Sequence, residues 1–382
     1  MNTPASSAAD PVAVSEVLFE VIHHVGVITL NRPKALNALT MEMTEQIAAR
    51  LAAWRDDTAV RGVLLRGAGE RAFCAGGDIR ALHAARAAGL GWQQFFVDEY
   101  RLDHTIHRYP KPVLVFMDGV TMGGGMGLAQ GAHLRIVTER SKIAMPETRI
   151  GIIPDVGASY FLSRLAGGLP YYLGLVGVTL TGEEAVLCGL ADVLVDAETL
   201  AGEHAYRDAL ARIDWREPDV LTALSDALAP RRQRIEAKSM KPLLGAIHVD
   251  FASTQTLQGI LTALQMRAQA GGDPAQEWAR QTLRALAGHS PLALSLTYRA
   301  LRQGRRLDLA ACFRQELRVI SRAVETGDFA EGVRALLVDK DQQPIWKYGS
   351  LEEIDERVVD EFFKDFHDGD PLADLDAASQ AG

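Results

Sequence analysis

Short apolar runs typical of buried strands alternate with helix-like stretches through the first half of the chain. The runs 60–66 (VRGVLLR) and 113–117 (VLVFM) are each followed by a glycine-rich loop and then by helical spacing of apolar residues. Such alternation indicates a parallel sheet covered by helices, whereas beyond about residue 200 the pattern is almost wholly helical. We therefore predict an α/β fold with four parts: a disordered tail (1–15), a core that holds the functional site (16–200), a helical region (201–350) and a helical or flexible tail (351–382).

The charge balance excludes one class of partner. Lys and Arg number 40 against 49 Asp and Glu, which leaves a net charge of −9. Sequence-independent binding to nucleic acid needs a basic surface, so we expect no nucleic-acid partner. The longest uncharged run, between Arg164 and Glu183, is interrupted by five glycines and a proline, so no membrane span is predicted either.

Cysteine usage and the first residues predict a reduced, cytoplasmic protein. Cys74, Cys188 and Cys312 include no CxxC pair, which argues against a disulfide framework and against a cysteine zinc site. Residues 1–16 contain neither an apolar core nor a basic residue, so they do not resemble an export or transit signal. We expect no bound metal.

Two glycine-rich loops are the first candidates for chemistry: 72–78 (AFCAGGD) and 118–127 (DGVTMGGGMG). Glycine allows positive φ angles and lets a ligand touch the backbone, and free N–H groups at a helix start bind anions. One N–H from each loop could point at a single oxygen and so form an oxyanion hole. The alternative is that the glycines serve only tight turns and close helix packing, and the glycines by themselves favour it.

Two acids follow the second loop. Glu147 and Asp155 lie eight residues apart, each directly after a proline in a mostly apolar segment. Burying a charge is costly, and a shared pocket would raise the pKa of one acid while the other stays ionised, which suits acid–base or nucleophilic work. The alternative is a pair of capping or salt-bridged loop residues, with Asp155 as the N-cap of a helix that starts near Gly157.

Three segments together resemble the crotonase (enoyl-CoA hydratase/isomerase) superfamily in order and spacing: 30–39 (LNRPKALNAL), 73–78 (FCAGGD) and 123–125 (GGG). The resemblance implies a crotonase-type spiral of ββα units and a coenzyme A thioester whose carbonyl oxygen accepts two backbone N–H groups. Carried over by position, those donors are Gly77 and Gly124. No cofactor is implied, because coenzyme A is part of the substrate. Relatives are often trimers or paired trimers, so a homo-oligomer (trimer or hexamer) is expected.

The chain departs from the hydratases of that superfamily at two positions. They carry a catalytic glutamate where this chain has Gly127, and a glycine where it has Asp155, so addition of water across an alkene is not expected. The departures resemble the 3-hydroxyisobutyryl-CoA hydrolase branch, which also matches 95–100 (FFVDEY), 146–165 and 327–347. The resemblance covers about residues 17–350.

That branch implies hydrolysis of 3-hydroxyisobutyryl-CoA to 3-hydroxyisobutyrate and CoA, a step of valine degradation. Glu147 and Asp155 match its catalytic acids, and Glu99 matches a substrate contact, although Glu99 alone is typical of a solvated helix. Glu147 would either attack the thioester or activate water, and Asp155 would orient the 3-hydroxyl group or the water. Further expected contacts are with the substrate (Ala75 and Asp78) and with the CoA phosphates (Arg32, Lys34 and Lys111).

Other readings of the motifs are weaker. Residues 67–72 fit a dinucleotide-binding GxGxxA pattern, but that pattern requires a helix to begin there. Gly76 and Gly77 would interrupt such a helix within a few residues. Residues 157–161 form half of a serine-hydrolase elbow that lacks its last glycine. The alternatives that stay open are a hydratase or isomerase acting on another acyl-CoA, and a non-catalytic assembly protein on the same scaffold.

Overall fold

The computed structural model describes residues 15–199, 233–252, 254–270, 274–326 and 328–375, with positions 207, 208, 210, 211, 213, 215 and 221 between them. The predicted N-terminal tail and the predicted helices 203–213 and 218–228 lie largely outside these ranges. Within them the α/β class predicted from the sequence is confirmed. Among the described helices, none has both the length and the hydropathy that crossing a bilayer requires.

The strands of the described residues form two sheets. In chain order they are β1 (Val17–Ile22), β2 (Val25–Leu30), β3 (Gly62–Gly67), β4 (Ala72–Cys74), β5 (Val113–Phe116), β6 (Val120–Met122), β7 (Leu134–Thr138), β8 (Lys142–Ala144), β9 (Leu180–Thr181) and β10 (Val193–Val195). The larger sheet has the order β1-β2-β3-β5-β7-β10 and the smaller has the order β4-β6-β8-β9. Each sheet is parallel except for one antiparallel edge pair, β1 with β2 and β8 with β9.

The helices of the first half lie between these strands, and those of the second half follow one another. The former are α1 (Met41–Arg55), α2 (Ile79–Ala87), α3 (Gln93–His107), α4 (Gly124–Gln130), α5 (Ala158–Phe161), α6 (Leu169–Val176) and α7 (Gly182–Cys188). The latter are α8 (Leu244–Asp250), α9 (Leu257–Gln269), α10 (Pro274–Ala287), α11 (Pro291–Gly304), α12 (Leu309–Thr326), α13 (Asp328–Val333) and α14 (Glu356–Phe363). Gly89 lies between α2 and α3 and has φ +67°, so it marks the break between these two helices.

Local sequence explains the boundaries of α1 and of the first hairpin. Thr40 caps α1 by accepting a hydrogen bond from the Met43 backbone N–H, as its position predicts. The hairpin turn, however, lies at His23 and His24, which both have positive φ, and not at Gly26 as expected. Gly26 lies inside β2 instead. Glycine is needed there because a side chain would start 2.5 Å from the Trp54 ring.

The C-terminal helices pack directly on the α/β core. Helix α12 lies against α3 and α5, and α11 lies against α6. Buried Phe313 on α12 meets Tyr100 on α3 with ring centroids 5.7 Å apart. A single buried apolar cluster therefore runs through both parts of the chain, although the division near residue 200 stays a prediction.

Candidate active site

Hydrogen bonds from the segment 30–39 support the first glycine loop. The Asn37 side-chain amide donates to the carbonyl oxygens of Ala68 (3.1 Å) and Ala72 (2.8 Å), and the Leu39 backbone N–H donates to the Gly76 carbonyl (2.8 Å). Asn37 itself is fully buried and has φ +56°, a left-handed conformation that asparagine tolerates better than most residues. The motif therefore serves as a scaffold that fixes the loop containing Gly76 and Gly77.

The second glycine loop lies against the first. Gly124 is the first residue of α4, so its N–H has no acceptor within that helix. A side chain on Gly124 would start 3.4 Å from the Gly77 nitrogen, and one on Gly125 would start 2.2 Å from the Cys74 carbonyl oxygen. Glycine is required here because two backbones approach so closely. The two predicted oxyanion donors are thus neighbours, while their role stays a prediction.

A cavity of about 390 Å³ opens beside these loops. Both glycines line it, together with the predicted residues Glu99, Glu147 and Asp155. Ala75 also lines it, as predicted, and its own N–H donates to the Leu36 carbonyl (3.0 Å). The remaining walls are mostly apolar: Ile79, Leu82, Phe95, Phe96, Ile150, Ile152 and Val156 from the core, and Leu336 and Leu337 from the C-terminal region.

The C-terminal wall is a part of the site that sequence reasoning missed. A single π-helical turn, Arg334–Val338, presents Leu336 and Leu337 to the cavity. The Arg334 guanidinium holds this turn through ion pairs with Glu331 (2.7 Å), Asp339 (2.7 Å) and Asp341 (2.6 Å). The match of residues 327–347 to the hydrolase branch was a sequence signal for this wall. It did not indicate where in the structure the segment lies.

The two predicted catalytic acids are buried side by side in one cavity wall. Glu147 begins a short 3₁₀ turn (Glu147–Ile150), and Asp155 follows in the next loop. Asp155 is not a helix cap, since Gly157 holds that position; instead its Oδ2 accepts a 2.6 Å hydrogen bond from the Tyr100 hydroxyl. The Glu147 Oε2 is buried and makes no hydrogen bond within the described part of the chain.

Burial shifts the pKa of both acids upward, but to different extents. Burial raises the pKa of Asp155 to about 6, with the Tyr100 hydrogen bond acting in the opposite direction. The pKa of Glu147 rises well above its usual range because of burial and, secondarily, because of the negative charge on Asp155. Asp155 therefore loses its proton first, and the pair divides into one ionised and one protonated carboxyl group.

Glu99 is buried, so the interpretation of this residue as a solvated helix position is wrong. Its side chain is 2% exposed, and its Oε1 is 2.1 Å from where a side chain on Gly124 would begin. Burial, followed by the charge on Asp155, raises the pKa of Glu99 well above its usual range. The raised pKa favours the neutral form of Glu99 beside Gly124.

The absence of a side chain at Gly127 has a structural cause. A side chain there would start 2.4 Å from the Asp103 Oδ2 and 2.7 Å from the Val156 Cβ. Asp103, one turn beyond Glu99 on α3, is fully buried and occupies that space. Position 127, where the hydratases of the superfamily carry a glutamate, therefore has no room for a residue larger than glycine in this chain.

The predicted phosphate contacts fare differently from the acids. Lys111 precedes β5 at its amino end and donates to the carbonyl oxygens of Trp54 and Asp57 (2.8 Å for the latter). Both glycine loops follow the carboxyl ends of their strands, so Lys111 lies at the opposite edge of the sheet, and its contact with CoA stays a prediction. Lys34 is exposed on a 3₁₀ turn (Pro33–Ala35), and its role stays a prediction.

Arg32 and Asp78 are engaged with each other. The Arg32 guanidinium lies 3.2 Å from the Asp78 carboxylate and 2.9 Å from Glu16, and it also donates to the Ala38 carbonyl (2.7 Å). Asp78 additionally caps α2 through the Ala81 N–H. These contacts account for both side chains without a ligand, and neither residue lines the cavity. The structure thus gives both a supporting place behind the first glycine loop.

Comparison with known proteins agrees with this geometry. Over residues 25–363 the chain matches the family model for enoyl-CoA hydratase/isomerase. This chain belongs to the enoyl-CoA hydratase/isomerase family. The crotonase-type fold predicted from three short segments is confirmed by a solved structure, a carnitinyl-CoA dehydratase from Mycobacterium thermoresistibile, with a TM-score of 0.81 and 38% identity over 93% of this chain and 98% of that one.

Two relatives within the family point to one of its branches. The mitochondrial 3-hydroxyisobutyryl-CoA hydrolase of Danio rerio is 39% identical over 94% of this chain and 92% of its own length. A probable 3-hydroxyisobutyryl-CoA hydrolase of Arabidopsis thaliana is 36% identical over 94% of both chains. The resemblance to that branch is therefore spread over nearly the whole chain and is not limited to the motifs.

Proposed function

We propose that this protein hydrolyses 3-hydroxyisobutyryl-CoA to 3-hydroxyisobutyrate and free CoA. One observation carries the proposal: Glu147 and Asp155, two buried acids with different pKa values, line the same cavity as the backbone of Gly77 and Gly124. Relatives that bear the name of this hydrolase match nearly the entire chain. The closed position at Gly127 argues against the hydratase alternative.

The reaction follows from the placement of these groups. The thioester carbonyl oxygen accepts the N–H groups of Gly77 and Gly124, which stabilise the oxyanion as it develops. Ionised Asp155, held by Tyr100, orients the 3-hydroxyl group or a water molecule. Glu147 first releases its proton to water, and the ionised carboxylate then attacks the thioester as nucleophile or, as general base, takes a proton from the attacking water. The carbon–sulfur bond breaks, and the leaving CoA thiolate takes up a proton from Glu147 on the general-base route or from water on the anhydride route, where a second water molecule then opens the anhydride.

The two possible roles of Glu147, nucleophile and general base, differ in which molecule receives the oxygen atom of water. If Glu147 attacks, a mixed anhydride forms, and water can open it at the Glu147 carbonyl carbon. A single turnover in heavy-oxygen water, followed by mass spectrometry of the peptide that contains Glu147, tests this. Label in Glu147 requires the anhydride, whereas label confined to the product places the attack of water on the substrate carbonyl carbon.

A panel of CoA esters with thiol detection tests the proposed activity. Release of free CoA from 3-hydroxyisobutyryl-CoA, faster than from acetyl-CoA, is the expected result. Loss of the crotonyl-CoA double bond without thiol release would favour a hydratase. No change in any ester would favour an assembly protein on a family scaffold. The panel therefore separates the three functions that the sequence left open.

The setting of the reaction is also part of the proposal. We place it in valine degradation and in the cytoplasm, although the Danio rerio relative carries a mitochondrial name. We further propose a trimer or hexamer. Light scattering of the purified protein tests the assembly, and cell fractionation tests the location.

Replacement of Tyr100 by phenylalanine is expected to move the acid limb of the pH–rate profile. The Tyr100 hydroxyl donates to the Asp155 carboxylate, and a hydrogen bond to the charged form lowers a pKa, so its removal raises the pKa of Asp155 above about 6. Because Glu147 must also be ionised and has the higher pKa, the acid limb of kcat/KM has two breaks, and the lower one, set by Asp155, is expected to move up by about one pH unit on loss of one charge-assisted hydrogen bond. An unchanged limb in Y100F, with activity otherwise intact, would show that Asp155 does not set it.

A further inference from the structure

A buried glutamate from the C-terminal region contacts the turn that carries Asp155. Glu316 lies on α12 and is fully buried. Its Oε2 accepts a 2.7 Å hydrogen bond from the Gly157 N–H. Its Oε1 accepts hydrogen bonds from the Ser159 N–H (2.7 Å) and the Ser159 hydroxyl (2.5 Å). Three donors from one short turn thus converge on a single carboxyl group that does not line the cavity.

The turn that receives these bonds is strained. Val156, directly after Asp155, has φ +53°, and a β-branched residue in the left-handed region is a genuine outlier. Gly157 follows with φ +88°, and the helix it opens, α5, has only four residues and no side-chain cap. Contacts from outside the turn must therefore hold it, and Glu316 supplies three of them.

The strained turn determines the direction of Asp155. Asp155, which directly precedes Val156, lines the cavity, and its carboxyl group accepts a hydrogen bond from Tyr100 on α3. Glu316 holds the other side of the turn from α12, and α12 also packs on α3. The carboxyl groups of Glu99 and Glu147 and the hydroxyl of Tyr100 face Asp155, so a small rotation of the turn would change all of its electrostatic partners.

We propose that Glu316 is a positioning residue for the thioester hydrolysis, one that holds Asp155 in its working orientation by fixing Gly157 and Ser159. The inference rests on the proposed function only for its effect on rate. The proposal also gives a role to residues 157–161, the partial elbow motif. The Ser159 hydroxyl donates a hydrogen bond to Glu316 and does not serve as a nucleophile. The C-terminal region thereby contributes to the chemistry from behind the cavity.

Kinetics of three variants test the proposal. Glutamine at 316 has one acceptor oxygen, and its amide would face a backbone N–H, so E316Q is expected to lower kcat about 10- to 100-fold while KM stays within about twofold. S159A removes one bond of three and should lower kcat less. E325Q is the matched control, because Glu325 is an exposed carboxylate on the same helix, and it should leave kcat unchanged. If E316Q does not fold, S159A against E325Q decides the question.

A second measurement does not depend on turnover. Carbon-13 labelling of aspartate carboxyl groups, with D155N to assign the signal, follows the ionisation of Asp155 by NMR. Loosening of the turn weakens the Tyr100 hydrogen bond, so the midpoint should rise by about one pH unit in E316Q. A midpoint and a kcat both equal to those of the unaltered protein would overturn the proposal. If the unaltered protein releases no thiol, the proposed function fails, while the midpoint still confirms or overturns the role of Glu316.

Discussion

Glu147→Gln is expected to lower kcat for thioester hydrolysis by about 10³-fold, within the range for loss of a positioned acid–base group. Glutamine has nearly the same size, but it cannot accept a proton or attack a carbonyl carbon. KM should change little, because the thioester oxygen is held by the backbone of Gly77 and Gly124. Thiol release from 3-hydroxyisobutyryl-CoA at saturating substrate measures the effect.

The matched control is Glu45→Gln, the same substitution at an exposed position on α1. It should retain full activity and unfold at the same urea concentration as the unaltered protein, whereas E147Q, which removes a buried acid with a raised pKa, should unfold at the same or a higher urea concentration at pH 7. A kcat for E147Q above about one tenth of the unaltered value would remove Glu147 from the reaction.

Asp103→Asn is expected to stabilise the protein by up to about 4 kcal/mol at pH 7. Both Asp103 oxygens are buried and make no hydrogen bond among the described residues, and burial raises the pKa of Asp103 well above its usual range. The raised pKa favours the protonated form in the folded protein, whereas the unfolded chain releases the proton at its ordinary pKa. With an unfolded pKa near 3.9, that release favours unfolding by about 1.4 kcal/mol for each pH unit above it.

The sign of the effect sets its pH dependence. A carboxyl group whose folded pKa is raised contributes its full stability below its unfolded pKa and loses that contribution as the pH rises through the folded pKa. Asparagine has no proton to release, so the gain should be largest at neutral pH and should disappear near pH 4. Urea unfolding at pH 4, 5, 6 and 7 measures it. Equal stability of D103N and the unaltered protein at all four values would mean that Asp103 is ionised in the folded state.

This stabilisation should leave catalysis almost unchanged. Asp103 lies behind Gly127 and does not line the cavity, and an amide occupies the same space as a neutral carboxyl group. The contrast with E147Q is therefore informative: we expect Glu147 to be required for turnover, and Asp103 on α3 to close the Gly127 position at the expense of stability.

Much of the site was predictable because it depends on backbone. The glycine loops were recognisable since only glycine permits the close approach of Gly125 to the Cys74 carbonyl and the left-handed φ of Gly123. The acids Glu147 and Asp155 were recognisable because charged residues seldom stand in apolar segments without a reason. Fold class followed from the alternation of strands and helices, as the structural relative confirms.

What the sequence did not indicate has a common origin in long-range contacts. Lys111 stays a predicted phosphate contact, but the sequence did not show that its ammonium donates to carbonyl oxygens at the end of α1. Glu99 alone looked like a solvated helix residue, but α3 buries it against Gly124. The neighbours of a residue along the chain do not predict which side chains or carbonyl groups it contacts across the sheet or on another helix.

The amino-acid sequence by itself determined the family, the two glycine turns and the identity of the paired acids, because these depend on residue type and spacing. Only the tertiary structure decided which protons the buried acids keep, why no side chain fits at Gly127, and how Glu316 and the turn after Arg334 complete the site. The physical reason is that burial, close approach and hydrogen bonding join residues far apart in the chain, such as Arg80 and Leu337, which are separated by 257 positions.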